Sequence, residues 1–112
     1  MWIFSEKGMV SAVAHRDKVG VLLVRARRKE HLEAFLASNG TWTGEEIIQM
    51  PSADYEYRIE VSLETFGELL TAQGRAINYP NFKGRCDALP DKAYAQALHK
   101  IWTVVHNALA RN

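Results

Sequence analysis

The chain contains one cysteine, Cys86, among its 112 residues. A single thiol cannot form an intramolecular disulfide, and it cannot supply the several thiolates that a structural zinc site or an iron–sulfur cluster takes from one chain. The sequence therefore predicts a protein of a reducing compartment, and we expect a cytoplasmic location.

Long apolar runs are also missing. No stretch approaches the ~20 consecutive apolar residues that cross a bilayer as a helix. The first segment, "MWIFSEKGMVSAVAHR", places Glu6 and Lys7 soon after the apolar residues "MWIF", and it lacks the basic start and apolar middle of a signal peptide. We expect neither a membrane partner nor a secretion signal.

Motifs that carry catalytic chemistry are absent too. The four histidines show none of the HxH, HxxxH or HExxH spacings that bind zinc, and His99 and His106 are seven residues, ~10.5 Å, apart on a helix. No GxSxG motif, Walker loop or GxGxxG turn occurs. Cys86 follows Arg85, but no general base is identifiable for it. We therefore predict no catalytic residue, no metal site and no cofactor, and an enzyme is the less favoured interpretation.

Charge of one sign is not in excess. Lysines and arginines number 14 and aspartates and glutamates 13, so the net charge is +1. A general binder of polyanions is normally strongly basic, and this chain is not. Binding through a local basic patch stays an alternative, because "RARRKE" at residues 25–30 concentrates cations within one short segment.

The sequence does contain a clear order of β-strands. The β-forming residues of "MWIF" and "MVSAVAHR", separated by "SEKG", predict a hairpin over residues 2–15. "VLLVRAR" predicts a strand over 21–27, with Val24 and Ala26 on one face and Arg25 and Arg27 on the other. "EEIIQM" predicts a short strand over 45–50 that stops at Pro51.

The strict alternation of "DYEYRIEVS" predicts another strand over residues 54–62. Its apolar face is expected to pack under helices and consists of Tyr55, Tyr57, Ile59 and Val61. Helical periodicity and capping residues predict three helices: Arg28 to Ser38, a second from an N-cap at Ser62 to about Gly74, and a long third from Pro90 and Asp91 to about Leu109.

This order of elements predicts an α+β fold. Residues 21–73 supply a strand, a helix and a parallel strand with an antiparallel strand between them, which is the split βαβ of ferredoxin-like folds. We expect an antiparallel-rich sheet of four or five strands with helices on one face and an added long C-terminal helix. Because no repeat or long linker divides the chain, we predict one domain over 1–112.

The same fold makes a prediction about charge. If residues 54–62 pair with 21–27, then Arg25 and Arg27 emerge beside Glu56 and Glu60 on the face away from the helices. An exposed ladder of opposite charges contributes from a few tenths to about 1 kcal/mol per pair. A solvated sheet face is the simpler interpretation, and a binding face is the alternative.

Two further features are candidate binding elements. The segment "INYPNFKGRC", 77–86, lies between two predicted helices and combines two aromatic rings with Asn81 and two cations, so it is either an anchored connector or a site. Trp42 lies in the loop "NGTWTG", where it either serves a protein interface or folds back as a lid on the core.

The blocks "MWIF", "GMVSAV", "LLVRARRKEHLE", "DYEYRI", "INYPNFK" and "LHKIW" follow one another along nearly the whole chain. In this pattern the chain resembles a family of small bacterial proteins without an established activity, whose members also occur in phage genomes. The resemblance implies a host-modulating or anti-defence role and carries no specific chemistry. It also implies that the positions within these blocks should be inspected first: Ser11, Arg25, Arg27, Asp54, Tyr55, Arg58, Tyr79, Asn81, Phe82 and Lys83.

We therefore expect a small non-catalytic binding or regulatory protein that acts through a protein partner, with a homodimer as one form of such contact. A first alternative is nucleic-acid binding through the basic sheet face and the "NYPNFK" loop. A second is a small-ligand protein or enzyme with a pocket at that loop. The candidate binding residues are Arg25, Arg27, Trp42, Asp54, Arg58, Tyr79, Asn81, Lys83 and Arg85.

Overall fold

The structure is a computed structural model that describes residues 1–44 and 46–110. The chain divides into two compact units, Met1–Ile77 and Asn78–Asn112, and each is described by itself. The prediction of one domain over 1–112 stays a prediction.

The first unit contains a five-stranded antiparallel sheet. Its strands are β1 (Trp2–Ser5), β2 (Gly8–Ala14), β3 (Val21–Ala26), β4 (Ile48–Gln49) and β5 (Tyr57–Ser62). They lie in the order β1-β2-β3-β5-β4, and every neighbouring pair is antiparallel. Strand β4 is therefore parallel to β3 with β5 between them, as the split βαβ arrangement predicts.

Two helices of this unit pack on one face of the sheet. Helix α1 (Lys29–Leu36) follows β3, and α2 (Leu63–Arg75) follows β5 directly. Ser62 caps α2 as predicted, because its hydroxyl accepts a hydrogen bond from the N–H of Thr65 at 3.0 Å. The core joins side chains from three strands and both helices, and its buried members are Val10, Ala12, Val24, Ala26, Leu32, Phe35, Leu36, Ile59, Phe66 and Leu69.

The second unit contains two helices, α3 (Phe82–Asp87) and α4 (Lys92–Leu109). Asp91 caps α4 by accepting a hydrogen bond from the N–H of Tyr94 at 3.1 Å, which confirms the predicted start of this helix. The two helices are also joined by side chains, since Nε2 of His99 lies 2.8 Å from Oδ1 of Asp87. Along the described residues, no helix combines the length and apolar character needed to cross a bilayer.

The α+β class, the antiparallel sheet with helices on one face and the long C-terminal helix are confirmed. Three local predictions need correction. The strand expected over 45–50 is only Ile48–Gln49, with Glu45 outside the described residues, and the strand expected over 54–62 begins at Tyr57. The segment 77–86 was expected to break the helices, but it contains most of α3, with Gly84 inside it.

Candidate functional site

Three arginines lie together at the sheet, and we call Arg25, Arg27 and Arg58 the arginine cluster. The register of β3 and β5 places Arg25 directly opposite Arg58. Since side chains alternate along a strand, both point away from the face that carries Val24 and Ile59 in the core. Directly opposed residues have Cβ atoms only ~4.5–5.5 Å apart, and both side chains reach the same residue, Tyr55.

This register overturns the predicted ladder of opposite charges at Arg25. Arg25 faces another cation, and Glu60 lies opposite Leu23. The carboxylate of Glu60 instead binds Lys18 at 2.8 Å and lies 3.6 Å from His15. The bond from Lys18 is the main cause that lowers the pKa of Glu60. The charge of Glu60 is thus compensated, whereas no carboxylate of residues 1–44 or 46–110 pairs with Arg58.

Tyr55 and Ser11 hold the arginine cluster in position. The ring of Tyr55 lies 4.6 Å from Cζ of Arg25 and 4.4 Å from Cζ of Arg27, both within cation–π range. The backbone carbonyl of Tyr55 accepts a hydrogen bond from Nη2 of Arg58 at 3.1 Å. Ser11, whose exposure is 1%, accepts from Nη2 of Arg25 at 2.9 Å. Tyr55 was expected under the helices, but its ring contacts the cations instead.

The charge of the cluster is only partly balanced. Arg27 lies 3.3 Å from Asp54, and both side chains are exposed, so this pair contributes at most about 1 kcal/mol. Within residues 1–44 and 46–110, neither Arg25 nor Arg58 pairs with a carboxylate. Their Nε–H groups are both buried and have no acceptor in the described part of the chain, and an unsatisfied buried donor costs about 1–3 kcal/mol.

The predicted residues of the segment 77–86 belong to the second unit. Asn81 is the N-cap of α3, since its Oδ1 accepts from the N–H of Gly84 at 3.0 Å, and this gives it a structural role. The rings of Tyr79 and Phe82 lie 5.7 Å apart. Lys83 lies with Nζ 3.9 Å from the ring centre of Trp102, and Arg85 is an exposed residue of the last turn of α3.

The C-terminal half of α4 carries an exposed apolar stripe that the sequence did not assign to a surface. We call Trp102, Val105 and Leu109 the α4 stripe; their exposures are 48%, 48% and 75%. They continue the helical face of Leu98, at spacings of four, three and four residues, but Leu98 is buried. In the sequence, apolar residues at this spacing look like the buried face of a helix. Only their exposure in the structure shows that they lie on the surface.

Trp42 is half-buried and packs against the core, which is the lid arrangement rather than the free interface residue. It lines a concavity of about 520 Å³ together with side chains of α1, α2 and β5. Its Nε1–H is buried and has no acceptor among the described residues. The packing of Trp42 therefore favours a role in the stability of the first unit over a role in contact with a partner.

Among the described residues, the structure argues against two kinds of chemical site, a reactive cysteine and a metal site. Cys86 is buried, and burial, with a smaller contribution from Asp87, raises the pKa of its thiol, so the reactive thiolate is disfavoured. Across the described part of the chain, no three histidine, cysteine, aspartate or glutamate side chains converge to hold a metal ion.

Comparison of the chain with protein-family models, curated proteins and solved structures finds no match. The resemblance to small bacterial and phage proteins therefore stays a prediction.

Proposed function

We propose that this protein is a non-catalytic binding protein that contacts a protein partner through the α4 stripe. The observation that carries the proposal is the exposure of Trp102, Val105 and Leu109 on one helical face. Exposed aromatic and aliphatic side chains at three- and four-residue spacing are how an amphipathic helix is recognised by a groove in another protein. Tryptophan is also the side chain most enriched among residues that dominate interface energies.

The charges around the α4 stripe favour a partner with an acidic rim. Between Lys92 and Leu109 the helix contains no aspartate or glutamate. Lys83 of α3 lies over the Trp102 ring, whereas Lys100 lies two residues, about 200°, from Trp102 and so on the other side of α4. Complementary charges at the rim of an interface steer association and select the partner. We infer an apolar groove bordered by carboxylates as the surface that α4 enters.

A membrane surface is the less favoured occupant of the stripe. Helices that lie in a bilayer interface are rich in lysine and arginine on their polar face. Helix α4 carries only Lys92 and Lys100 of these residue types. The cytoplasmic location and the regulatory or anti-defence role stay parts of this proposal, the first supported by the single cysteine and the second by the resemblance.

The test uses two adjacent valines as matched variants. Val105→Glu places a charge in the α4 stripe, whereas Val104→Glu places the same charge at a position that is 67% exposed and about 100° away around the helix. We expect wild type and Val104→Glu to capture the same proteins from a native lysate and Val105→Glu to lose them. Far-ultraviolet circular dichroism must show equal helix content in all three.

Three arms complete the test. Capture of the same proteins by wild type and Val105→Glu, with equal affinity, would contradict the proposal. Binding to anionic vesicles that Val105→Glu abolishes, without a captured protein, would identify a membrane surface instead. Light scattering reports self-association, and a dimer that Val105→Glu dissociates would make the partner a second copy of this chain rather than an acidic protein.

A further inference from the structure

Arg25 and Arg58 are directly opposed cations in the middle of the sheet, and nothing in the described chain neutralises them. Like charges placed directly opposite each other in an antiparallel pair are destabilising. With Arg27 and Asp54 included, the three guanidinium groups and one carboxylate carry a net charge of about +2. Positive charge held at one position by the fold attracts a negative ligand.

We propose that the arginine cluster binds a small oxyanion, specifically a phosphate group, between the guanidinium groups of Arg25 and Arg58. A phosphate monoester carries about −1.5 to −2 charges at neutral pH, which matches the charge of the cluster. Guanidinium groups bind phosphate oxygens through pairs of parallel N–H donors, and these charge-assisted bonds are stronger than neutral ones. A bound phosphate would therefore offset the repulsion between Arg25 and Arg58.

The hydrogen-bond inventory of the two arginines leaves donors for such a ligand. Each guanidinium has five N–H donors. Arg25 directs Nη2 to Ser11, and Arg58 directs Nη2 to the carbonyl of Tyr55. The Nε–H of each is buried and has no acceptor among the residues that the structure describes, so a small rotation of either group onto an oxyanion would satisfy this donor.

The surroundings of the site fix the guanidinium groups before a ligand arrives. The Tyr55 ring lies against Arg25 and Arg27, and the buried Ser11 hydroxyl holds Arg25 at 2.9 Å. Side chains held in this way lose little conformational freedom on binding, and that favours affinity.

A small ligand is favoured over a nucleic-acid strand. The chain as a whole has a net charge of only +1, whereas binding along a strand depends on many phosphate contacts. The cluster instead concentrates its positive charge at one position of the sheet, with Arg27 as the exposed member. A single phosphate group can contact all of this localised charge. An extended nucleic-acid backbone would place only one of its phosphates there.

The experiment is calorimetric titration of the full chain with inorganic phosphate and, separately, with a mononucleotide monophosphate and a short single-stranded DNA, all at matched ionic strength in chloride. The variants are Arg25→Gln and Arg58→Gln. The control is Arg75→Gln, which removes the same charge from the last turn of α2. We expect saturable binding of phosphate or the monophosphate that falls about ten- to a hundredfold in the two cluster variants and less than about twofold in the control.

Arg58→Lys is a second test variant, for use if Arg25→Gln or Arg58→Gln does not fold. It retains the positive charge but loses the paired N–H donors of the guanidinium group. We expect this variant to remain folded and to bind phosphate at least about fivefold more weakly. No saturable binding of either phosphate ligand, or an equal loss in Arg75→Gln, would overturn the proposal. Binding of the DNA without binding of inorganic phosphate or the monophosphate would overturn it as well. This result is independent of the α4 stripe, whose variants are predicted to bind phosphate like wild type.

Discussion

The imidazole of His31 lies directly against the backbone of Gly8, and its Nδ1 accepts a hydrogen bond from the N–H of Met9 at 3.2 Å. This contact joins α1 to the first residues of β2. Gly8 has a φ of +139°, in the region that glycine adopts readily and other residues rarely do. The close approach and the dihedral angle therefore both require glycine at this position.

Replacement of Gly8 by alanine is expected to destabilise the protein strongly. A methyl group at Gly8 would overlap the His31 ring, and the backbone angle would become strained. We expect the free energy of unfolding to fall by about 2 to 4 kcal/mol, as measured by urea denaturation. Gly20→Ala is the control, because Gly20 has φ +77° but no atom lies within 4 Å of its added methyl group. Equal losses in the two variants would contradict the steric role of His31.

The stability of the protein is expected to fall in mild acid because of His31. Burial is the first cause that lowers the pKa of this imidazole, and the nearby Arg28 lowers it further. The native state therefore favours neutral His31, whereas the unfolded chain takes up a proton near pH ~6.5. The contribution is fully present above that pH, and it is lost progressively as the pH falls from ~6.5 through the lowered pKa of the native state.

The measurement is the free energy of unfolding of wild type and His31→Asn over about pH 5 to 8. Asparagine keeps an acceptor oxygen near the position of Nδ1 but does not titrate. We expect the difference between the two proteins to shrink as the pH falls, because only wild type loses stability at this position. Parallel pH curves would show that His31 does not carry the effect. Every other histidine is common to both proteins and cancels in the comparison.

The core contact between Phe35 of α1 and Phe66 of α2 is expected to be a major source of stability. The two ring centres lie 5.7 Å apart with tilted planes, and both residues are buried. Phe35→Ala leaves a cavity between the helices and the sheet, so we expect a loss of about 3–5 kcal/mol in the free energy of unfolding. Thermal and urea denaturation should agree on the direction.

An exposed leucine provides the matched control for this core substitution. Leu63 is the first residue of α2 and is 59% exposed. Leu63→Ala is expected to change the stability by less than about 0.5 kcal/mol, because little surface is lost from the core. A loss at Leu63 that equals the loss at Phe35 would show that the core lies elsewhere than the structure places it.

Local signals in the sequence account for most of the predicted elements. The hairpin follows from β-forming residues on both sides of the turn "SEKG", and the starts of α2 and α4 follow from Ser62 and Asp91. In each case the deciding interaction lies within a few residues along the chain. Such interactions are visible without knowledge of the rest of the fold.

Helix α3 shows where local signals are ambiguous. Its N-cap, Asn81, is a typical helix start, but Pro80 and Gly84 indicate a break. The helix has only six residues, which is too short to show a periodic apolar face. The role of Asn81 as a cap, rather than as a free binding group, was therefore open until the structure was known.

The sequence alone determined the α+β class, because the periods of two and of about 3.6 residues in its apolar pattern arise from local backbone geometry. It also placed Arg25 on the face of the sheet away from the core, and the alternation of residues 54–62 puts Arg58 on the same face. Only the tertiary structure decided that these two cations face each other and that the α4 stripe is exposed. The physical reason is that strand register and helix burial depend on partners distant in sequence, and a one-residue shift in register changes every neighbour of a side chain.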